Sequence, residues 1–469
     1  MATKTVGISD ALNDAQLGLF HLRAVIVSGM GFFTDAYDLF IISAALVLIT
    51  PEWGLNKSMV GLLGSTALIA AFVGAFLFGR LADVYGRKKI YGLVAGMMAF
   101  GALASAFSPN IWWLLAFRFI MGMGIGGDYP VSAVLMSEYA NTKDRGKLVG
   151  LVFSMQAVGL VTGPIVALAL LGAGIPNDIA WRLMLGLGAI PAGAVIYLRS
   201  RMPESPRYVA RVQGKVKEAQ ESLAQFSGVA SLKQVEIDQS TRAQRMTFSE
   251  FLRNPKFLRY LVGTAGAWFV FDYAYYGNSI SMPLVLSTVS PSLTPIAKMA
   301  WTLIIFAVAA VPGYILALTK MDKIGHRKLQ LIGFIFMGLA FGIIGIVPHM
   351  TTLVLPFLIV FGASYFFAEF GPNTTTFVMA AEVYPTSMRT TGHGISAGVA
   401  KVGAFIGVFV FPILQNALGV RGTLFITFVF SIIGVLVTLL LPEPSQKSLE
   451  ELSGEEQVTP KPSHDVVNG

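Results

Sequence analysis

Gly79-Arg80-Leu81-Ala82-Asp83-Val84-Tyr85-Gly86-Arg87-Lys88-Lys89 closes one apolar run and opens the next, and its core returns in the second half of the chain. Asp83-x-x-Gly86-Arg87-Lys88 recurs as Asp322-x-x-Gly325-His326-Arg327-Lys328, an offset of 239 residues. Glu138 precedes Arg145 by seven residues and Glu382 precedes Arg389 by seven, an offset of 244. A period of half the 469-residue chain implies two copies of one unit, with a site between them near their middle. A single loop Lys or Arg is explained by snorkelling at a membrane surface. Matched opposite charges at helix ends are better explained as bridges that hold one conformation and break in another.

The runs flanking these motifs are membrane-like. The chain is 54% hydrophobic and 13% charged, with 49 Gly and 34 Phe, where soluble domains carry about 25% charged residues. Twelve apolar segments reach the ~20 residues a spanning helix needs. They cover roughly 24–49, 58–80, 89–107, 111–138, 147–173 and 182–199, then 258–287, 296–319, 328–347, 351–380, 391–418 and 422–441. The stretches after odd-numbered spans are poor in basic residues (Lys57, Arg182, Lys298, His349, Arg421). Those after even-numbered spans are rich in them (Arg80, Arg87, Lys88, Lys89; Lys143, Arg145, Lys147; Lys320, Lys323, Arg327, Lys328; Arg389). Basic loops face the cytoplasm, which puts both termini and the central link there; the chain is expected to be a multi-pass protein of the cell (plasma) membrane.

The expected organisation is an all-α membrane protein of 12 transmembrane helices in two pseudo-symmetric six-helix bundles. It divides into a cytoplasmic N-terminus (1–23), a first bundle (24–199), a cytoplasmic linker with short helices (200–257), a second bundle (258–441) and a hydrophilic tail expected to be disordered (442–469). The first twenty residues lack the apolar core of a cleaved signal peptide. Zero Cys and five unpaired His exclude thiol chemistry and give no metal motif, and no cofactor is expected. The net charge of +8 is accounted for by the basic loops without nucleic acid.

Several spans carry polar side chains at depth, where an ionisable group costs at least ~2.5–3.5 kcal/mol if it faces lipid. Span 4 holds Arg118 and Gly126-Gly127-Asp128-Tyr129-Pro130, in which Pro130 frees backbone groups of the kind that line cavities. Span 1 holds Asp35 and Asp38, three apart and so roughly on one face; span 7 holds Trp268, Asp272 and Tyr276, four apart. Span 5 contributes Gln156, span 10 Glu369 and Asn373, and span 11 Lys401. Trp268 and Tyr276 alone read as packing aromatics, and Gln156 and Asn373 as hydrogen-bond glue between helices. Asp128, Asp272, Glu369 and Lys401 have no such explanation apart from mutual salt bridges. Gly122, Gly124, Gly126 and Gly127 follow no strand, so they read as close helix packing rather than a phosphate loop.

The Gly79–Lys89 stretch resembles the span 2–3 signature of the major facilitator superfamily, and Pro203-Glu204-Ser205-Pro206-Arg207 is similar to its sugar-porter branch. Within it, five stretches resemble the phosphate:proton symporters of plants and fungi. These are Gly31-Phe-Phe-Thr-Asp-Ala-Tyr-Asp-Leu-Phe40, Gly126-Gly-Asp-Tyr-Pro-Val-Ser-Ala133, Trp268-x-x-x-Asp272-x-x-x-Tyr276, Phe370-Gly-Pro-Asn-Thr-Thr-Thr-Phe377 and Gly394-Ile-Ser-Ala-x-x-x-Lys401. The resemblance covers residues 20–445. It implies the major facilitator fold and places Tyr129, Gln156, Trp268, Asp272, Tyr276 and Asn373 around inorganic phosphate. Asp35 and Asp128 fall on the proton route, and Lys401 supports the site. Asp83, Arg87, Glu138, Arg145, Asp322, Arg327, Glu382 and Arg389 form the expected gate.

An acidic pocket suits a protonated anion. Phosphate O–H groups can donate to a carboxylate, while Tyr, Trp, Gln and Asn donate to its remaining oxygens. Protonating Asp128 or Asp272 removes their repulsion of the anion, so proton and substrate favour each other. Two positions depart from the resemblance. Glu369 stands where relatives carry an uncharged amide; it pairs with Lys401, adds a proton step, or signals another substrate. Leu93-Val94 follows Tyr91-Gly92 where fungal members carry a glutamate. Uptake of phosphate with protons is the expected function. A proton-coupled porter for an organic acid or sugar is the alternative, although span 7 lacks the paired glutamines of sugar porters. A nutrient sensor would need a cytoplasmic output that the short linker and plain tail do not provide. No nucleophile–base pair or nucleotide loop supports an enzyme. Oligomeric state has no sequence signal.

Overall fold

A computed structural model describes residues 8–215, 217–219, 221–222, 246–293 and 301–455. All regular elements among them are helical. The first half comprises α1 (Leu19–Glu52), α2 (Lys57–Tyr85), α3 (Arg87–Ala106), α4 (Ile111–Tyr139), α5 (Arg145–Gly172) and α6 (Asn177–Ser200). The second comprises α7 (Pro255–Ile280), α8 (Trp301–Ile324), α9 (His326–Ile346), α10 (Val354–Ala380), and α11 and α12, which run as one 50-residue helix from Arg389 to Thr438 but reverse at Gly419 (φ 69°). Ten helices of the described residues are long and apolar enough to cross a membrane. Splitting the pair at Gly419 and adding α7, which carries more polar side chains, gives the expected twelve.

The ends of the helices are written locally. Asn56 accepts from Met59 N at the start of α2, Asn110 from Trp112 N and Trp113 N at α4, and Asn254 from Lys256 N and Phe257 N at α7, where Pro255 occupies the first turn. Gly86 and Gly325 turn α2 into α3 and α8 into α9 with the same left-handed φ of 103°. Each turn is roofed by a carboxylate. Glu204 accepts from Lys88 N (3.1 Å) and Glu443 from His326 N (2.7 Å), so an acid sits at the positive end of each following helix.

Glycines set the closest approaches. A Cβ on Gly126 would strike the Ala71 backbone of α2, and one on Gly403 would strike Phe269 of α7. These contacts draw α4 onto α2 and α11 onto α7, as the glycine run in span 4 anticipates. The halves meet through the pseudo-equivalent pairs α2–α11 and α5–α8. Side chains such as Trp112, Phe100, Ile190, Val308 and Phe409 remain exposed around the circumference, as lipid contact demands.

One boundary expectation changes. The tail does not leave the bundle at 442. Residues 442–455 lie along one face and form a short helix, Leu449–Ser453, whose Glu450 is buried against Arg207 (3.2 Å) and Arg211 (3.7 Å). Those cations hold a segment that looks soluble by composition; residues 456–469 lie outside the described residues. In the link, Pro206–Tyr208, Val209–Gln213 and Phe248–Arg253 are helical, while 223–245 lie outside the described residues, as does Lys298. The link, the N-terminal helix Ile8–Asn13 and the C-terminal segment share one face of the bundle, the terminal face.

Candidate functional site

Halfway along α1, α4, α5, α7 and α11, side chains from both halves converge. Lys401 Nζ donates to Tyr129 Oη (3.3 Å) and Tyr276 Oη (3.2 Å) and reaches Asp272 Oδ2 at 3.5 Å. Tyr129 Oη donates to Asp35 Oδ2 (2.6 Å) and accepts from Gln156 Nε2 (2.8 Å). Trp268 lies over the cluster on its terminal side, edge-on to Phe377 and tilted on Tyr129 at 6.1 Å. Every member is buried; Tyr276, the most open, is 9% exposed. One cation thus meets Asp272 directly through a long contact and is joined to Asp35 of the other half through Tyr129. A narrow cleft touches Gln156, Tyr276, Leu39, Ser279 and Tyr275 and leads away from the terminal face.

Asn373 sits one step aside. Residues Glu369–Asn373 interrupt α10 as a π-helical turn containing Pro372, a break that turns side chains inward. Asn373 Nδ2 donates to Glu369 Oε2 and to Tyr314 Oη (2.8 Å). Glu369 therefore does not pair with Lys401, which is committed to Asp272. Tyr314 and Tyr275, unremarked in apolar runs of sequence, face the Glu369 carboxyl.

Two acids expected near this cluster stand apart from it. Asp128, next to Tyr129 in sequence, points to the other side of α4 and forms a bidentate pair with Arg199 (2.6 and 3.1 Å). Arg199 stacks on Tyr91 at 4.0 Å, and Tyr91 Oη donates to Ser28 Oγ at 2.8 Å. A Cβ on Gly31 would overlap Asp128 Oδ2, so the Gly31 of the span 1 motif is the space for this ion pair. Consecutive helical residues diverge by about 100°, which is why the Asp128-Tyr129 neighbours separate. Arg199 closes span 6 and reads as a boundary cation; the signal for its role was that Asp128 needed a partner within the first half. Asp38 likewise departs from the face of Asp35 and binds Arg118 through two 2.9 Å contacts.

The terminal face is closed by crosswise pairs between the halves. Asp83 accepts from Thr390 N (3.3 Å) and Thr391 N (2.6 Å) at the start of α11, and Asp322 from Gly146 N (3.1 Å) and Lys147 N (2.8 Å) at the start of α5. Each carboxylate thus caps a helix of the opposite half. Arg389 reaches Glu138 (2.9 Å) and Arg145 reaches Glu382 (2.7 Å). Arg87 binds Asp83 and Glu138 within its own half. Its structural counterpart is His326, which bridges Glu382 (2.9 Å) and Asp322 (3.0 Å). Arg327, expected in this gate, instead reaches the Leu439 carbonyl (3.2 Å), because the offset of 239 aligns Arg87 with His326 and leaves Arg327 one residue further round the helix. Burial works to push the Glu382 carboxyl up, but His326 and Arg145 outweigh it and hold it down at about 2.

The family model described as sugar (and other) transporter matches residues 24–455. A protein of Arabidopsis thaliana named probable inorganic phosphate transporter 1-2 is 36% identical over 530 aligned residues, spanning 99% of this chain and 100% of its own. Inorganic phosphate transporter 1-6 of Oryza sativa subsp. japonica is 35% identical, spanning 97% of each. Among solved structures, the major facilitator superfamily proton:xylose symporter XylE bound to 6-bromo-6-deoxy-D-glucose superposes with a TM-score of 0.79 at 20% identity, over 92% of this chain and 98% of that one. The inward-open xylose transporter XylE from E. coli gives 0.61 at 21% identity, over 92% and 99%. These structures carry the likeness of fold alone.

Proposed function

We propose, from the premise that this chain belongs to the sugar (and other) transporter family of the major facilitator superfamily and is a multi-pass membrane transporter, that its cargo is inorganic phosphate, moved together with protons into the cell across the plasma membrane. Both termini, and with them the terminal face, are then cytoplasmic. The observation that carries the reading is Lys401 held between Asp272, Tyr276 and Tyr129, one cation shared by residues of both halves at mid-depth. The names of the nearly full-length relatives support phosphate as the substrate.

The coupling follows from the sharing. With Asp272 ionised, Lys401 is occupied by its carboxylate, and a second anion meets net repulsion. A proton on Asp272 neutralises that carboxylate, releases Lys401 Nζ, and supplies an O–H donor. Phosphate then takes Lys401, with Tyr276, Tyr129, Gln156 and Trp268 as further donors and Asn373 from α10. Proton and phosphate each raise the affinity for the other, as symport requires. Asp35, joined to the same cation through Tyr129, supplies the second carboxylate of the route. Asp128 holds α1, α4 and α6 together through Arg199 rather than carrying the transported proton.

Release to the cytoplasm requires the crosswise pairs to part. Asp83, Glu138, Arg145, Asp322, Glu382 and Arg389, with Arg87 and His326 positioning the acids, form the gate closed here, and the cleft beside Tyr276 is the path from outside.

Labelled phosphate uptake into proteoliposomes, with and without an inward proton gradient, tests the reading. Gradient-driven accumulation supports it. Folded protein that accumulates no phosphate under either condition refutes it.

A further inference from the structure

Glu369 has no part in the scheme above, yet its surroundings are specific. It is fully buried, and Lys401, the cation of the neighbouring cluster, is paired with Asp272. No ion pair of the described residues includes Glu369. The groups that face it are neutral: Asn373 on its own turn, Tyr275 on α7 and Tyr314 on α8, with Tyr365 a turn earlier on α10. On the α9 side the contact is Gly333 against Gly371 and Pro372. A carboxylate at membrane depth without a counter-ion is held most cheaply as the neutral acid.

The position also has a path. A narrow gap inside the second half, with room for about one water molecule, is lined by Tyr275, Asn278, Ser364, Tyr365 and Ala368, the residue before Glu369. Asn278 Oδ1, buried without a hydrogen-bond partner among the described residues, marks it as a place suited to water. Tyr275 lines both this cavity and the central cleft, and its phenol faces Glu369. One hydroxyl therefore separates Glu369 from the space that opens beside Gln156 and Tyr276.

We propose that Glu369 is a second proton-binding site, distinct from Asp272, which receives its proton from the central cleft through Tyr275 and controls phosphate binding through Asn373. The proposal rests on the phosphate reading above. The step is a reversible transfer: a proton from water in the cleft is passed on by the Tyr275 hydroxyl, which gives one proton and takes one, and the O–H bond forms on the Glu369 carboxylate. When Glu369 is ionised, both hydrogens of the Asn373 amide nitrogen are engaged, one by the carboxylate and one by Tyr314, so none is free for an anion. When Glu369 is protonated, its O–H can donate in turn, and an amide hydrogen is released toward the substrate. The negative charge one helical turn from the bound anion disappears in the same event. Phosphate binding and proton uptake at Glu369 are thereby linked.

Purified full-length protein in nanodiscs tests this with Glu369→Gln and Glu369→Asp. Infrared spectra of the wild type at low pH are expected to show the C=O stretch of a buried carboxylic acid that is absent from Glu369→Gln, with or without phosphate. At a pH high enough that this band is lost without phosphate, adding inorganic phosphate in weakly buffered solution should take up protons, with about one fewer per phosphate bound in Glu369→Gln; Glu369→Asp should restore the missing proton. Wild-type protein that binds no phosphate but shows the infrared difference would refute the substrate reading while leaving the protonated acid in place. Phosphate bound with equal proton uptake in wild type and Glu369→Gln, or no infrared difference between them, would overturn the proposal.

Discussion

Asp128 and Asp272 are both buried acids facing one cation, and they are held in opposite ways. Asp128 meets Arg199 through two short contacts, with the guanidinium stacked on Tyr91 and the whole assembly inside the first half. Asp272 meets Lys401 at 3.5 Å across α7 and α11, and that ammonium also serves two phenols, one of them from the other half. The planar fork of an arginine fixes one geometry, whereas a lysine is a point charge on a flexible stem that can change partners. The first arrangement suits a joint that must persist through a transport cycle. The second suits a site that must exchange a carboxylate for a substrate anion.

The comparison predicts different failures. The largest effect is expected for Asp272→Asn: gradient-driven phosphate uptake should fall to background while thermal unfolding in detergent barely moves. Near-normal uptake would remove Asp272 from the coupling. Asp128→Asn should do the reverse in kind. It leaves Arg199 buried without its counter-charge, a loss of about 3–5 kcal/mol, so the melting temperature should drop. Replacing both partners with leucines should recover much of that stability, since breaking a buried pair costs more than removing it. A D128N protein that melts like wild type but loses its pH response would make the two acids alike after all.

A smaller effect is expected at the terminal face. Glu382→Gln weakens the bridge to Arg145 and His326 and should shift the population toward opening there, by about 1–3 kcal/mol if it resembles typical coupling energies. Because the chain contains no Cys, a single introduced pair across α5 and α8 reports this cleanly. Unchanged cross-linking would show that the capping carboxylates Asp83 and Asp322 suffice.

The smallest effect concerns pH. A carboxyl depressed when folded stabilises the closed state above its unpaired value and loses that contribution only as pH falls through the depressed one. For Glu382 the window runs from about 4.5 down to about 2. Cross-linking at the terminal face should therefore hold steady between neutral pH and pH ~5 on account of this group. A transition within that range would implicate another site.

Much of this was legible beforehand because it depends on local chemistry. Asp35, Asp272, Lys401, Tyr129 and Gln156 stand out in apolar runs, and their mutual contact follows once two copies of a bundle face each other. Arg199, Tyr275 and Tyr314 were hidden for different reasons. Arg199 sits at a span end, where a cation is ordinary, and a tyrosine in an apolar helix carries no mark distinguishing a hydrogen-bonding phenol from a packing ring.

The sequence by itself determined the twelve spans, their division into two repeats, and the inventory of charges at depth, because hydrophobic length and repeat period are read along one dimension. Which acid meets which cation was decided only by tertiary structure. A rotation of about 100° per residue sends Asp128 and Tyr129 to different helices. The one-residue register at Gly325 gives the gate to His326 and not to Arg327, and the order in which helices pack places Glu369 beside three phenols and, among the described residues, no cation.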